Sequence, residues 1–446
     1  MMPAETPGGA PEPVAVAEAA QRLRLLPGGP DRTTLPVVAL DPGFLPTTRQ
    51  MALAVADVLT DYYTPYVARH DHPLLSLPRV GRELERRLLP PELADKARAL
   101  ETGTEALRLT LSRAGVRRLD YGLLWKRNVG LDARVPPLLK AGATVIGQYG
   151  GCLETFKRAR VLYGRTVLDY PISRVELGQD LMEEEARRRP DFADTIDGDG
   201  VRLAPAHLAR IAAEVELADL IVVGSRFAAA SFAGVVPPER IRVIPYGVDV
   251  RAFQPGARPG RPGPMRVLFA GHVTQRKGIA YLLDAMRLLD PARFALQIVG
   301  PVTGSGAGLR QYAGLFRHAA GVRPRGMPAV YAAADVLVLP SVNEGSALVV
   351  LEAMACGLPV IVTPNAGADA VRDGVDGFVV PVRSPEAIAE RLAALQADPE
   401  LARRMGASAR ARATEFTWER FRAEFRRAVG FPEIERAAPL REERSA

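Results

Sequence analysis

The sequence predicts an α/β protein of two parallel-sheet domains. Three observations carry that expectation. Short apolar strands alternate with helical stretches through the second half, the first half repeats the alternation less cleanly, and a Pro/Gly-rich run separates the halves.

Taken in chain order, "LPVVALD" (Leu35 to Asp41) predicts a strand and "TRQMALAVADVL" (Thr48 to Leu59) a helix. "ATVIGQYG" (Ala143 to Gly150) and "LIVVGS" (Leu220 to Ser225) are further strands, and "IRVIPYGVD" (Ile241 to Asp249) ends the half. The run from Val250 to Met265 holds three Gly and four Pro and reads as a linker. Beyond it, "MRVLFAG" (Met265 to Gly271), "FALQIVG" (Phe294 to Gly300), "DVLVLPS" (Asp335 to Ser341) and "LPVIVT" (Leu358 to Thr363) are strands. Between them "GIAYLLDAMRLL" (Gly278 to Leu289), "MPAVYAAA" (Met327 to Ala334) and the stretch after Ser346 have helical spacing. Nearly continuous apolar strands indicate a sheet covered on both faces. The predicted division is a disordered leader (1–34), a first domain (35–249), a linker (250–265), a second domain (266–415), a closing segment (416–430) and a tail (431–446).

The chain has 446 residues, 48% hydrophobic and 24% charged, ordinary for a soluble globular protein. Met1 to Pro30, rich in Pro, Ala and Gly, lacks the continuous apolar core of a signal peptide, and no apolar run approaches the ~20 residues of a membrane span. Cys152 and Cys356 are far apart and show no metal-ligand spacing, which suggests a reducing, cytoplasmic setting. The net charge is +7, but the basic residues are spread out and no aromatic-interleaved stripe points to nucleic acid. Only five of 58 basic residues are lysines, and Lys277 alone follows position 157. That bias singles out Lys277, in a tight loop, for a point-charge role.

Two groups of residues carry chemistry. "SVNEGSALVVLEAMACGLPVIVT" (Ser341 to Thr363) holds Glu344 and Glu352. Ser346 is the expected N-cap of the helix, closed by Gly357 and Pro359. A helix N-terminus facing a cleft offers free N–H groups to phosphate, and small Gly345, Ser346 and Ala347 would let a ligand approach the backbone. Eight residues of helix would set the two acids ~12 Å apart, wider than the about 5–9.5 Å of paired glycosidase carboxylates. That spacing fits a ligand with hydroxyls at both ends and phosphates between, as in a nucleoside diphosphate sugar. Glu344 as a solvated loop acid and Glu352 as a core carboxylate paired with an arginine are the competing readings. The second group, "AGHVTQRKG" (Ala270 to Gly278), places Arg276 and Lys277 between Gly271 and Gly278, after a strand and before a helix.

"RVLFAGHVTQRKGIAYLLDA", the run from Asp335 to Pro381 and "RIRVIPYGVD" together resemble the family 4 retaining glycosyltransferases. The resemblance is strong over about 200–416 and thin over 35–200, where "LDYP" and "LADLIVVGSRFAAASF" fit the general pattern. It implies the GT-B fold, two Rossmann-like domains facing each other across a cleft. It also implies a nucleotide sugar donor, a hydroxyl acceptor that is a saccharide or lipid-linked, and no metal or other cofactor. By the resemblance Glu344 binds hydroxyls of the transferred sugar and Glu352 those of the ribose. Gly345, Ser346, Ala347 and Leu348 hold the diphosphate and sugar, and Lys277 neutralises the departing phosphate. Gly271, His272, Arg276 and Gly300 complete the donor side. The segment Phe416 to Val429 resembles a closing helix that returns to the first domain. Polysaccharide or glycolipid assembly at the inner face of a membrane is the implied setting, and the basic surface is compatible with peripheral membrane contact. Two features depart from the family pattern. His272 stands where members commonly carry arginine, with Arg276 close by to compensate. "QYGGC" (Gln148 to Cys152) occupies the expected place of a donor-facing histidine, with His70, His72 and His207 as off-position candidates. A catalytically silent module that binds a nucleotide sugar or a partner enzyme, and a sugar-nucleotide epimerase, are the rival expectations.

Overall fold

The strands of the computed structural model, which describes residues 35–68, 87–113, 120–197, 203–256 and 263–432, form two parallel sheets. The first contains β1 (Val37–Leu40), β2 (Leu59–Thr64), β3 (Ala97–Ala99), β4 (Thr144–Gln148), β5 (Arg165–Asp169), β6 (Leu220–Val223) and β7 (Ile241–Val243). The second contains β8 (Met265–Ala270), β9 (Phe294–Val299), β10 (Phe316–Ala319), β11 (Val336–Leu339), β12 (Val360–Val362) and β13 (Gly377–Val379). Their spatial orders are β3-β2-β1-β4-β5-β6-β7 and β10-β9-β8-β11-β12-β13. Each sheet is doubly wound, and strand order reverses between β1 and β4 and again between β8 and β11. Ligands of such sheets bind outside the carboxyl ends of the strands at these reversal points. Strands β1, β6, β11 and β12 are buried along their whole length, as their unbroken Val/Leu/Ile runs require.

The structure differs from the sequence expectation in the first half. The first helix is Pro46–Ala54, with Pro46 at its start, and Leu59 begins β2. Val55 and Leu59 keep a four-residue spacing that imitates a helix face, yet one lies in the turn and the other in the strand; both are buried. Strands β2, β3, β5, β10 and β13 have no counterpart in the expectation. Edge strands β3 and β10 carry little buried surface, and β5 offers only three residues between Arg165 and Asp169. Residues 1–34, 257–262 of the linker and 433–446 lie outside the described residues. Among the described residues no helix is long and apolar enough to cross a membrane.

The chain returns to the first domain through the helix Trp418–Ala428. Thr417 caps it, accepting the Arg420 N–H at 3.2 Å, and Phe421 and Phe425 are buried against the Pro46–Ala54 helix and its neighbours. Gly247 is needed at this crossing, because a Cβ there would lie 2.2 Å from the Trp418 nitrogen. Arg426 fixes the far end: it donates to both oxygens of Asp57, at 2.6 and 2.7 Å, and to the Ala54 carbonyl at 3.0 Å. A second excursion runs the other way. The helix Val175–Arg188 and the turns to Asp197 belong to the first half in sequence but hydrogen-bond to the second domain through Glu185, Arg189, Asp191 and Asp194.

Removing the Arg426 guanidinium leaves the buried Ala54 carbonyl without this donor and the Asp57 carboxylate unpaired. The expected loss for Arg426→Ala is about 1–3 kcal/mol, read as a lower urea midpoint, with the far-ultraviolet spectrum of the folded protein unchanged.

Candidate functional site

Two loops meet at the reversal point of the second sheet. The loop after β8 leaves through Gly271 (φ 125°), tightens into a 3-10 turn over Gln275–Lys277 and ends at Gly278 (φ 71°). Gly278 has no alternative, since a Cβ would sit 2.0 Å from the Pro340 carbonyl oxygen. Gly300 (φ 147°), at the end of β9, similarly abuts the Gly271 carbonyl. The loop after β11 is stitched to this turn: the Val342 and Asn343 N–H groups donate to the Arg276 carbonyl at 2.9 and 3.2 Å, and Arg276 Nη1 donates to the Asn343 carbonyl at 3.0 Å.

Glu344 emerges between the two loops and takes both cations. Arg276 Nη1 lies 3.0 Å from Oε1, and Lys277 Nζ pairs with Oε2. The three side chains are 12–15% exposed. Burial alone would raise the Glu344 carboxyl, but the adjacent guanidinium and ammonium outweigh it and hold the group at about 2. Glu344 is therefore an ion-paired acid rather than a solvated loop residue. Gly271, Arg276, Lys277, Gly300, Glu344 and Gly345 come together here, and His272 stands exposed on the same loop.

The helix after Glu344 needs two corrections. It spans Leu348–Ala355, and Ala347, not Ser346, occupies the N-cap with no side-chain cap. Val342 to Ala347 are held as an irregular loop by bonds to neighbouring loops, including Asn365 Nδ2 to the Val342 carbonyl at 2.8 Å and Ala347 N–H to the Ala366 carbonyl at 3.1 Å. Glu344 thus lies off the helix, and the rise to Glu352 covers four helical residues from Leu348, ~6 Å, rather than eight. The Ala347 N–H is also already bonded. The Leu348 and Val349 N–H groups begin the helix without a protein partner among the described residues. Glu352 is half-buried and takes no arginine. Its Oε2 accepts the hydroxyl of fully buried Tyr331 at 2.6 Å, and burial raises its carboxyl against that bond.

The first domain supplies the opposite wall. A Cβ on Gly345 would lie 1.8 Å from the Pro171 carbonyl oxygen, so the segment after β5 lies against the loop after β11. Ser173 Oγ donates to Asn343 Oδ1 at 2.6 Å, Ser225 Oγ to the Gly345 carbonyl, and the Arg226 N–H to Asp369 at 2.6 Å. "QYGGC" is pinned by Glu214, which accepts from the Gly150 and Cys152 N–H groups. His207 stacks on Trp125 at 3.7 Å, and His70 and His72 lie outside the described residues.

Sequence reasoning missed Asp169, the last residue of β5. It is fully buried, its Oδ2 accepts the Thr47 and Thr48 hydroxyls at 2.7 and 2.6 Å, and its Oδ1 has no partner among the described residues. Burial, opposed by those two hydroxyls, pushes its carboxyl up to about 6. The only sequence signal was an acid at the end of an apolar strand, which "LDYP" contains.

Fold and site together define a class that comparison with known proteins narrows. Residues 264–398, most of the second domain, match the model of a family described as "Glycosyl transferases group 1". Among individual proteins, the chain is similar to the D-inositol 3-phosphate glycosyltransferase of Streptomyces bingchenggensis, 39% identical over 208 residues that cover 41% of this chain and 46% of that protein. It is also 38% identical over 208 residues to the namesake of Geodermatophilus obscurus, covering 41% and 45%. The chain thus spans less than half the length of the curated relatives it matches. Sucrose-phosphate synthase from Thermosynechococcus elongatus superposes with a TM-score of 0.61 at 21% identity, over 89% of this chain and 98% of that one. Anabaena HepE in complex with UDP-glucose does so with a TM-score of 0.59 at 16% identity, over 89% and 99%. These likenesses, with the two parallel sheets, establish the GT-B fold.

The two perturbed acids predict opposite pH behaviour. Glu344 is depressed below its ordinary 4.5, so its stabilisation is present above about pH 4.5 and is lost as pH falls towards 2. Glu344→Gln is expected to lower stability by roughly 3 kcal/mol near neutrality and by progressively less below pH 4.5. Asp169 is raised above its ordinary 3.8, so its ionisation destabilises increasingly as pH rises through about 4 to 6. Asp169→Asn is expected to stabilise by up to about 3 kcal/mol above pH 6 and not at all below pH 4. Melting temperatures measured from pH 3 to 8 check both signs.

Proposed function

We propose that the chain is a glycosyltransferase that moves a hexose-type sugar from a nucleoside diphosphate donor to a hydroxyl acceptor with retention. The observation that carries this reading is the convergence of Arg276 and Lys277 on Glu344 at the reversal point of the second sheet. The Leu348 and Val349 N–H groups at the head of the helix, without a partner among the described residues, would supply further donors, a setting suited to a diphosphate. The group 1 match over this domain and HepE's complex with UDP-glucose support a nucleotide sugar as the ligand.

In this reaction Lys277 and Arg276 would carry the leaving diphosphate, with positive charge placed before the bond breaks. Glu344, held between them, would accept sugar hydroxyls, and Glu352 with Tyr331 would accept those of the ribose. Gly271, Gly300 and Gly345 let backbone and ligand approach closely, and His272 borders the phosphates. No metal is assigned a role. A saccharide or lipid-linked acceptor would enter from the first domain, and polysaccharide or glycolipid assembly at the inner membrane face is the setting we infer.

A thermal-shift screen of UDP, GDP, ADP and TDP sugars is expected to raise the melting temperature with one base, by mass action. Transfer from that donor should fall at least about 100-fold in Lys277→Ala and Glu344→Ala, and EDTA should leave it unchanged. Donor binding without turnover towards any acceptor or water would favour a silent binding module. No shift with any donor would remove the reading.

A further inference from the structure

We infer that Glu185, a carboxylate from the first half of the chain, is a positioning residue for the Arg276–Lys277 turn of the second domain. The inference rests on the proposed role of that turn in holding a diphosphate.

Glu185 lies near the end of the helix Val175–Arg188 and is fully buried. A carboxylate so placed is costly unless its oxygens are filled. Here every donor comes from the second domain. Gln275 Nε2 and the Tyr281 hydroxyl reach Oε2 at 2.9 and 2.8 Å, and Arg383 Nε reaches Oε1. Arg383 does so from a left-handed backbone (φ 66°) rare for a side-chain-bearing residue, while also donating to Glu184 at 2.9 Å.

Gln275 is the residue that transmits the contact. It is fully buried, and both ends of its amide are committed: Nε2 to Glu185, and Oε1 to the Ala280 N–H at 3.1 Å. Its own N–H donates to Thr195 Oγ1, also from the first half, at 2.9 Å. Gln275 opens the 3-10 turn whose next two residues are Arg276 and Lys277, and the Gly278 N–H closes the turn on the Gln275 carbonyl at 2.9 Å. The Nε2 and the main-chain N–H of Gln275 are therefore both held by the first half, and the turn that carries both cations starts from this residue.

Simple adhesion between the halves does not require this arrangement. Along the same seam, Arg189 bonds Asp284 at 2.6 Å and Tyr312 at 3.0 Å, Asp191 bonds Gln311 at 2.7 Å and Asp194 bonds the Ser305 N–H at 2.7 Å. None of these touches the phosphate turn. Glu185 and Thr195 do.

The test measures, on the full chain by calorimetry, how much more tightly UDP, GDP, ADP or TDP binds than the matching monophosphate. For the base that wild type prefers, Glu185→Ala is expected to lower the diphosphate-over-monophosphate ratio about tenfold or more. Gln311→Ala, which breaks the Asp191 tie at the same seam but away from the turn, should leave the ratio within twofold. If Glu185→Ala does not fold, Gln275→Leu breaks the same link from the other side and should show the same loss. An unchanged ratio in the variant that folds, or an equal fall in Gln311→Ala, would overturn the inference. Wild type that binds none of the four diphosphates would instead overturn the functional reading and this inference with it.

Discussion

One buried carboxylate between two cations organises the second domain's working edge. Glu344 holds Arg276 and Lys277, which arrive from the loop after β8, while Glu344 itself arrives from the loop after β11. These strands are neighbours whose connections leave in opposite directions, so their loops diverge and a crevice opens between them. The ion pairs and the backbone bonds from Val342 and Asn343 to Arg276 close the base of that crevice. A lone cation left there would be a buried uncompensated charge, expensive enough to distort the loops. The glycines at 271, 278 and 300 follow from the same constraint, because the loops can meet only where backbone approaches backbone.

The first domain is more than a lid over this edge. The chain crosses between domains at the linker and again at the Trp418–Ala428 helix, and residues 175–197 add a third tie. Pro171, Ser173 and Ser225 press directly on the Asn343–Gly345 segment. The geometry of Gly345 is therefore a joint property of both halves, and relative motion of the halves would be felt first there.

Much of this edge was legible in the sequence, because it rests on local signals. Apolar strands of five to seven residues, with charged residues in the loops that follow, place Lys277, Arg276 and Glu344 without reference to distant contacts. The errors came from interactions remote in sequence. Ser346 has the chemistry of a cap, but the bond from Ala347 to Ala366 holds the loop extended and moves the helix start. Glu352 was open to an arginine, and only the fold brings Tyr331 to it. Val55 and Leu59 imitate a helix because turn and strand face one core. Glu185, next to Glu183 and Glu184 in one run of glutamates, is distinguished from them only by what packs against it.

The environments of Glu344 and Glu352 also bear on where a proton can go in the proposed reaction. A carboxyl held at about 2 by two cations is too weak a base to take a proton from an acceptor hydroxyl at neutral pH. Glu352 is pushed in the opposite direction, but it is committed to the Tyr331 hydroxyl on the helix behind the turn. Acids whose surroundings separate their affinities for protons usually divide the labour. In the proposed reaction Glu344 would fix the cations and Glu352 would read hydroxyls, and neither acid is placed as a base. For the proposed transfer with retention, this charge distribution suits same-face attack, in which the leaving phosphate oxygen, steadied by Lys277 and Arg276, would receive the acceptor's proton.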